Sequence, residues 1–409
     1  MTVPAALGAR RTPRPGFRAV PPERRRRRRV QLVWALLMMN VLTFFPESRL
    51  LLPIPSALGR LIAQGSLPLA LLLILTVNRP LRVRPSVYIF LASLLVTEAV
   101  VSSLRAEFLV GALYRSSRLV IFVLVLWMLS PWWTRRDLLL VRTHLMVLWA
   151  VIGSVAAGLL LSPGGAFVDD RLTGILWPIP ATQVGHYAAM ATGLTAVLWM
   201  AGLLRREIAL LSVVVAIPVL LLTHTRTALI ALLVGGIVAG LSLFTARARA
   251  RRTFAIAIGV FSVGALTAGS AVTTWLARGQ DTEQVAALTG RKLVWDAILA
   301  QPRTTWETLF GFGLSNKSFT GLPIDSNWLG TYYDVGLLGA AFNIAMVLFV
   351  FVGAWFTPQG PRRALALFIV AYCVVASFTE TGLSEASPYL LELTLAASLV
   401  YPRPSREGI

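Results

Sequence analysis

The protein has 409 residues, 56% of them apolar and only 14% charged, with a mean hydropathy of +0.72. A water-soluble domain of this size could not cover so large an apolar fraction with polar surface, which excludes soluble enzymes and soluble binding modules. The net charge of +20 would suit nucleic acid, but the arginines recur in short links between apolar runs, so a nucleic-acid partner is excluded as well.

In chain order, residues 1–29 come first and end in six consecutive arginines, Arg24–Arg29. This segment is expected to be a disordered cytoplasmic tail whose partner is anionic lipid. The apolar run at 30–46 lacks a small-residue cleavage site, so it reads as an uncleaved span. Eleven further runs follow at about 57–77, 86–104, 108–130, 139–161, 180–203, 207–223, 226–245, 253–276, 327–355, 363–380 and 386–402. Many have the length, roughly 17–25 residues, that crosses the hydrocarbon core of a bilayer. The expected fold is all-α. It is a polytopic membrane protein with twelve transmembrane helices in one domain over 30–402, a large extracytoplasmic helical loop at 277–326, and a short cytoplasmic tail at 403–409.

The connectors test the orientation. VNRPLRVRP, PWWTRRD, LLRRE, TARARARRT and PQGPRR follow the even-numbered runs, as does the tail PRPSREGI, and each carries two or more arginines. The alternate connectors are poor in arginine and hold most of the acids. By the positive-inside rule the arginine-rich side is cytoplasmic, as are both termini. Both long connectors, 162–179 and 277–326, then lie outside, where long loops tend to carry function. Within the second, TGRKLVWDAILAQP predicts an amphipathic helix. Thr289 caps it, Leu293, Val294, Ala297 and Ile298 form one face, and Pro302 ends it. A single cysteine, Cys373, and three scattered histidines, His144, His186 and His224, give no metal-ligand pattern, and no metal or cofactor is expected.

Ionisable groups collect near the outer ends of the runs: Arg115, Arg118, Arg171, His186, His224, Arg226, Arg291, Asp325, Asp334, Glu380 and Glu385. Arginine presents five fixed donors that match phosphate oxygens in pairs. A group of arginines at membrane depth therefore suits a lipid-linked phosphate or diphosphate, and a nearby carboxylate suits a general base. Structural roles fit some of them equally. Arg115 and Arg118 can snorkel to headgroups, Asp169 and Arg171 can form a surface ion pair, His186 can be a buried hydrogen-bonded histidine, and Asp334 can pair with an arginine. Arg226, with the threonines and His224 of THTRT, is harder to assign to structure, because a turn flanked by such long apolar runs has no need of an arginine. GFGLSN at 311–316 lacks the third glycine and the preceding strand of a nucleotide-binding loop, so its glycines are expected to make turns.

Four segments in order resemble the O-antigen ligase and O-antigen polymerase family. LLLTHTRTALIALL resembles that family's turn, in which a small polar residue and an arginine sit between two spans. LTGRKLVWDAIL followed by LFGFGLSN is similar to its large periplasmic loop. DSNWLGTYYDVGLLGA resembles its segment that returns to the membrane, and RLTGILWP is similar to another family segment. The resemblance covers about 165–345. It implies a metal-independent membrane glycosyltransferase whose donor is an undecaprenyl-diphosphate-linked glycan and whose acceptor is a glycan or a lipid-linked glycan. Arg226 and Arg291, with Arg171, would hold the diphosphate. His224, Thr225, Arg115, Arg118, His186, Asn327 and Glu380 are further substrate-binding candidates. Ligases of the family carry a histidine just before the returning span. Here PIDSNW stands there, leaving Asp325, or Glu380, as the base. That departure favours a polysaccharide polymerase, or a ligase with another acceptor. A flippase for lipid-linked oligosaccharides is the rival of another class.

Overall fold

The computed structural model describes residues 22–44, 50–51, 53–135, 137–277, 291–315 and 318–401. The described residues form fourteen α-helices and two two-stranded hairpins. The helices are α1 (Pro22–Val41), α2 (Ser56–Val77), α3 (Val87–Ser103), α4 (Leu109–Leu129), α5 (Leu139–Leu161), α6 (Ala181–Met200), α7 (Arg206–Leu222), α8 (Arg226–Phe244), α9 (Ala248–Ala277), α10 (Arg291–Ala300), α11 (Thr305–Phe310), α12 (Asn327–Phe356), α13 (Pro361–Ala376) and α14 (Pro388–Val400). Every predicted apolar run holds a helix. Five of the described helices, α2, α4, α5, α8 and α12, are long and apolar enough to cross a membrane, and α3 and α14 are shorter apolar helices. The chain is an all-α membrane protein.

The distribution of burial explains why the helices differ. Leu69 and Leu72 on α2, Leu233 and Ile237 on α8, and Leu348 and Val352 on α12 are exposed. So wide an apolar belt is costly in water and natural in lipid. α6 is different. Nearly every residue from Ala181 to Met200 is buried, and the helix is rich in Ala, Gly and Thr. Small side chains let neighbouring backbones approach closely where no hydrophobic drive separates protein from lipid. A Cβ at Gly193 would collide with Phe368 of α13, and one at Gly185 would lie 2.6 Å from Thr223 Oγ1. α6 is thus the central helix, packed between α5, α7, α8 and α13.

The arginine-rich connectors are stitched together at one end. Asn78 donates to the carbonyls of Arg82 and Met128, the Arg84 amide donates to Ser130, and the Thr134 amide donates to the Ser398 carbonyl. α1 begins at Pro22, so the arginine run Arg24–Arg29 is helical where a disordered tail was expected. Arginine is a good helix former, and part of its charge here is partnered. Arg27 pairs with Asp137 at 3.1 Å, and Arg26 lies over the Trp132 ring. Residues 1–21, the Thr289 cap, Asn316 and the 403–409 tail lie outside the described residues.

At the other end, α10 uses a narrower face than predicted. Val294 and Ile298 pack on Ile324, while Leu293 and Ala297 are exposed. The reason is that this short helix meets only a small apolar patch, Ile324 with Phe319, Leu329 and Tyr333, which one pair of residues at i and i+4 can cover. α12 itself is interrupted at Gly336, whose φ of 65° and ψ of −166° leave the helix. The interruption is filled by the GFG segment. The Phe312 and Gly313 amides donate to the Tyr333 and Asp334 carbonyls at 3.0 and 2.8 Å. Gly311 and Gly313 take φ of 75° and 90°, so these glycines do make turns, and a Cβ at Gly336 would run into the Leu309 carbonyl. Gly336→Ala is expected to destabilise the protein by at least about 1–2 kcal/mol, the cost of a left-handed non-glycine residue, before any clash is counted. A thermal unfolding curve in detergent that matches the wild type would refute this.

Candidate functional site

The site starts from the tight THTRT link. α7 ends at Leu222, His224 turns the chain with φ of 50°, and α8 begins at Arg226. The turn is held from three sides. Arg171 Nε donates to the Thr223 carbonyl at 3.0 Å, and its Nη2 reaches Thr225 Oγ1 at 3.4 Å. Thr225 donates to the Ala181 carbonyl at the start of α6, and Thr227 shares a 2.7 Å hydrogen bond with Thr379. His224 stacks on Trp275 of α9. Arg226 thus occupies the first position of α8, where the helix dipole opposes a cation.

Arg171 sits on the second strand of the Phe167–Val168/Arg171–Leu172 hairpin, turned by Asp169 and Asp170 with φ of 50° and 58°. No Asp169–Arg171 ion pair forms among the described residues; the guanidinium points to the THTRT turn instead. Burial lowers its pKa, and nearby Arg291 adds to the effect, while Glu380 and Asp169 oppose it. Arg291, the first residue of α10, donates through Nε to Asp325 Oδ2 at 3.0 Å. Arg291 also lies within electrostatic reach of Arg226 and Glu380. The three arginines therefore converge from the 162–179 connector, the α7–α8 turn and the start of α10.

The carboxylates are placed by a second set of bonds. Asn327 opens α12, and its Oδ1 accepts from the Gly382 and Leu383 amides at 3.3 and 2.8 Å, while its own amide donates to the Ser377 carbonyl. The Asn327 side-chain oxygen fixes the 377–387 connector against the start of α12. That brings Glu380 to Asp325. Burial raises the Glu380 pKa to about 7, and the Asp325 charge adds to this against Arg291 and Arg171. Near neutral pH the carboxyl is poised to give or take a proton.

Glu380 also lines an open cavity of about 560 Å³ with Arg60, Arg118, His186, Glu385 and Tyr389. Arg118 donates to Asn40 Oδ1 at 3.3 Å. Arg115 does not line it. Its guanidinium donates to the Ser315 carbonyl and ties α4 to the segment after α11. Asp334 pairs with no arginine by salt bridge among the described residues; its Oδ1 accepts from the Ser315 hydroxyl at 2.8 Å. His186 presents its ring to the cavity, but both nitrogens are committed inward, to Tyr372 and Glu392 at 3.0 Å each. It therefore has no nitrogen left to offer a ligand. Among the described residues no three His, Cys, Asp or Glu side chains gather in a way that could hold a metal ion.

Two residues escaped the sequence reading although a signal was there. Glu392 in PYLLELTLAAS and Glu98 in IFLASLLVTEAVV are lone acids within apolar runs, and both are buried. An ionisable residue inside a span marks a polar network by default. Glu392 joins His144 and His186, and Glu98 faces α12 beside Gly339.

Neither a protein-family model nor a curated protein matches the chain. The geometry therefore carries the functional argument. The Glu380 assignment makes a direct prediction. Infrared difference titration should show a carboxyl with a midpoint near pH 7 that vanishes in Glu380→Gln. In Asp325→Asn the midpoint should fall, because a negative neighbour is removed and Arg291 loses its competing partner. A midpoint that stays in place or rises in Asp325→Asn would refute the assignment.

Proposed function

We propose that this protein is a membrane glycosyltransferase of the extracytoplasmic face of a bacterial inner membrane. It transfers a glycan from an undecaprenyl-diphosphate-linked donor to a sugar hydroxyl, as a surface-polysaccharide polymerase. In this reading all twelve helices in the apolar runs cross the bilayer, the arginine-rich connectors and both termini are cytoplasmic, and the basic start of α1 meets anionic lipid. The observation that carries the proposal is the convergence of Arg171, Arg226 and Arg291 with Asp325 and Glu380 from separate parts of the chain. A diphosphate leaving group needs fixed positive charge where its negative charge grows, and a sugar hydroxyl needs a base.

The roles follow from the partners. Asp325 is paired, so it orients the Arg291 guanidinium. Glu380 is the better base, because its pKa of about 7 matches the working pH. It takes the acceptor hydroxyl proton as the oxygen attacks the anomeric carbon. The bond from that carbon to the diphosphate oxygen breaks, and the electron pair leaves with the lipid diphosphate into the arginine group. The sequence PIDSNW offers no histidine for the ligase reaction, which supports the polymerase reading over attachment to a lipopolysaccharide core.

The break in α12 is the one feature that favours a flippase, since transporters build substrate sites from interrupted helices. Here the freed Tyr333 and Asp334 carbonyls are occupied by the Phe312 and Gly313 amides. The interruption is a socket for the loop, and the arginines lie at one end of the bundle.

In detergent, where no second compartment exists, the purified protein should transfer glycan from a lipid-diphosphate donor. Arg226→Ala and Arg291→Ala should each abolish transfer while leaving a folded, inserted protein, and Arg226→Lys should also be poor, since a point charge cannot replace a bidentate fork. Full activity in both alanine variants would sink the proposal. The wild-type rate should rise with pH through about 7, as the base loses its proton. Glu380→Gln should lose roughly 10²–10⁴-fold in rate and that dependence with it. A pH profile unchanged in Glu380→Gln would assign the base elsewhere.

A further inference from the structure

Arg118 raises a problem that the diphosphate site does not solve. It lies nine residues into α4, about 14 Å along the helix from Leu109. Arginine is costly at such depth in a bilayer unless something compensates its charge. No carboxylate pairs with it by salt bridge among the described residues. Its Nη2 donates to Asn40 Oδ1, and Asn40, only 4% exposed, is itself anchored by donating to the Ala63 carbonyl at 3.2 Å. Its Nε is buried and has no protein acceptor. The guanidinium is therefore tethered at the cavity through one nitrogen, with no carboxylate to neutralise it. Arg60 lines the same cavity.

The remaining wall is of opposite character. Glu380 and Glu385 line the cavity, and both can accept from hydroxyl groups. Two carboxylates beside two arginines make a poor site for a diphosphate, which three arginines elsewhere suit better. The mixture suits a sugar with several hydroxyls and one acidic group. The cavity, about 560 Å³, has the capacity of a small-molecule site. Glu380 is shared by this cavity and the arginine group, so a hydroxyl bound here faces the base and the donor together.

We infer that the cavity between Arg118 and Glu380 is the acceptor subsite, and that the acceptor sugar carries an acidic group, carboxylate or phosphate, which Arg118 and Arg60 bind. This rests on the transferase reading for the word acceptor, but its binding test does not. The purified protein in detergent is titrated with glucuronate, glucose, inorganic phosphate and pyrophosphate, and thermal stabilisation is read. Glucuronate or phosphate should stabilise the wild type where glucose does not. Arg118→Gln should weaken that response at least about 10-fold, the loss expected for a charge-assisted hydrogen bond, and leave the pyrophosphate response intact. Arg226→Gln should do the reverse. Arg60 is exposed at the cavity rim, so Arg60→Gln keeps the test valid if Arg118→Gln fails to fold; it too should weaken the glucuronate or phosphate response selectively. A glucuronate response tells a carboxylate-bearing acceptor from a phosphate-bearing one, and either supports the inference. It is overturned if glucose binds as well as glucuronate and phosphate, if neither anion stabilises the wild type, or if Arg118→Gln and Arg60→Gln leave the anion response unchanged. A wild type without a pyrophosphate response would count against the donor site and leave the acceptor site standing.

Discussion

One buried carboxylate organises this bundle. Glu392 of α14 is fully buried, with His186 Nε2 of α6 at 3.0 Å and His144 Nε2 of α5 at 3.6 Å from the same oxygen. Trp34 of α1 donates to His144 Nδ1, and Tyr372 of α13 meets His186 Nδ1. An indole N–H can only donate, so the His144 proton sits on Nε2 and faces the carboxylate. Five helices thus meet at one acid. In a bilayer the lipid tails are as apolar as the helix faces, so burial alone does not select which helices meet. Polar contacts of this kind fix partner and register, since a shifted helix would leave a charge or a ring nitrogen unpaired. The outer ends follow from that register. α6 begins beside the cavity, and α14 begins where Ser387 caps it by accepting from the Leu390 amide while donating to the Gly382 carbonyl. The connector that bears Glu380 is therefore anchored at both ends by residues that have no chemistry of their own.

The charge layout at that end divides into two parts with different balances. Arg171, Arg226 and Arg291 face Asp325 and a Glu380 that is half protonated near pH 7, so positive charge is in excess. Mutual repulsion and desolvation make such a group unfavourable without an anion. Backbone carbonyls relieve part of the cost, as the Thr223 carbonyl does for Arg171. In the cavity, Arg118 and Arg60 are balanced by Glu380 and Glu385. In the proposed reaction the first part would meet the departing diphosphate and the second the sugar, and Glu380 lies where the two parts meet.

Much of this was legible in the sequence because the membrane imposes a coarse grammar. Each of the apolar runs holds a helix, since backbone groups in lipid have to be satisfied within the segment. Arg171, Arg226, Arg291, Asp325 and Glu380 stood out because charge is rare in this chain. What escaped depends on distance along the chain. The helical arginine run needs Asp137 and Trp132 to hold it, more than a hundred residues away. The exposure of Leu293 depends on how little of α12 faces α10. That the Asn327 oxygen accepts from the Gly382 and Leu383 amides depends on a connector more than fifty residues away. Composition shows which residues are unusual, and only the fold shows which are already spoken for.

The interruption of α12 links these levels. A helix broken inside a membrane frees carbonyls that lipid cannot satisfy. This chain meets them with two amides of the loop that precedes α12, from a segment whose glycines adopt backbone angles that other residues avoid. The loop is thereby fastened to α12 by Ser315 to Asp334, while Arg291 to Asp325 ties the start of α10 to the residues that lead into α12. Arg115 fastens it to α4 as well. A loop held in this way cannot carry Arg291 away from Asp325 without breaking polar contacts. The geometry around Asp325 and Glu380 is consequently set by packing within the membrane domain rather than by the loop alone. The glycines that resemble a nucleotide motif in sequence act here in that attachment, and the same loop carries Arg291, which lies within electrostatic reach of both Arg226 and Glu380.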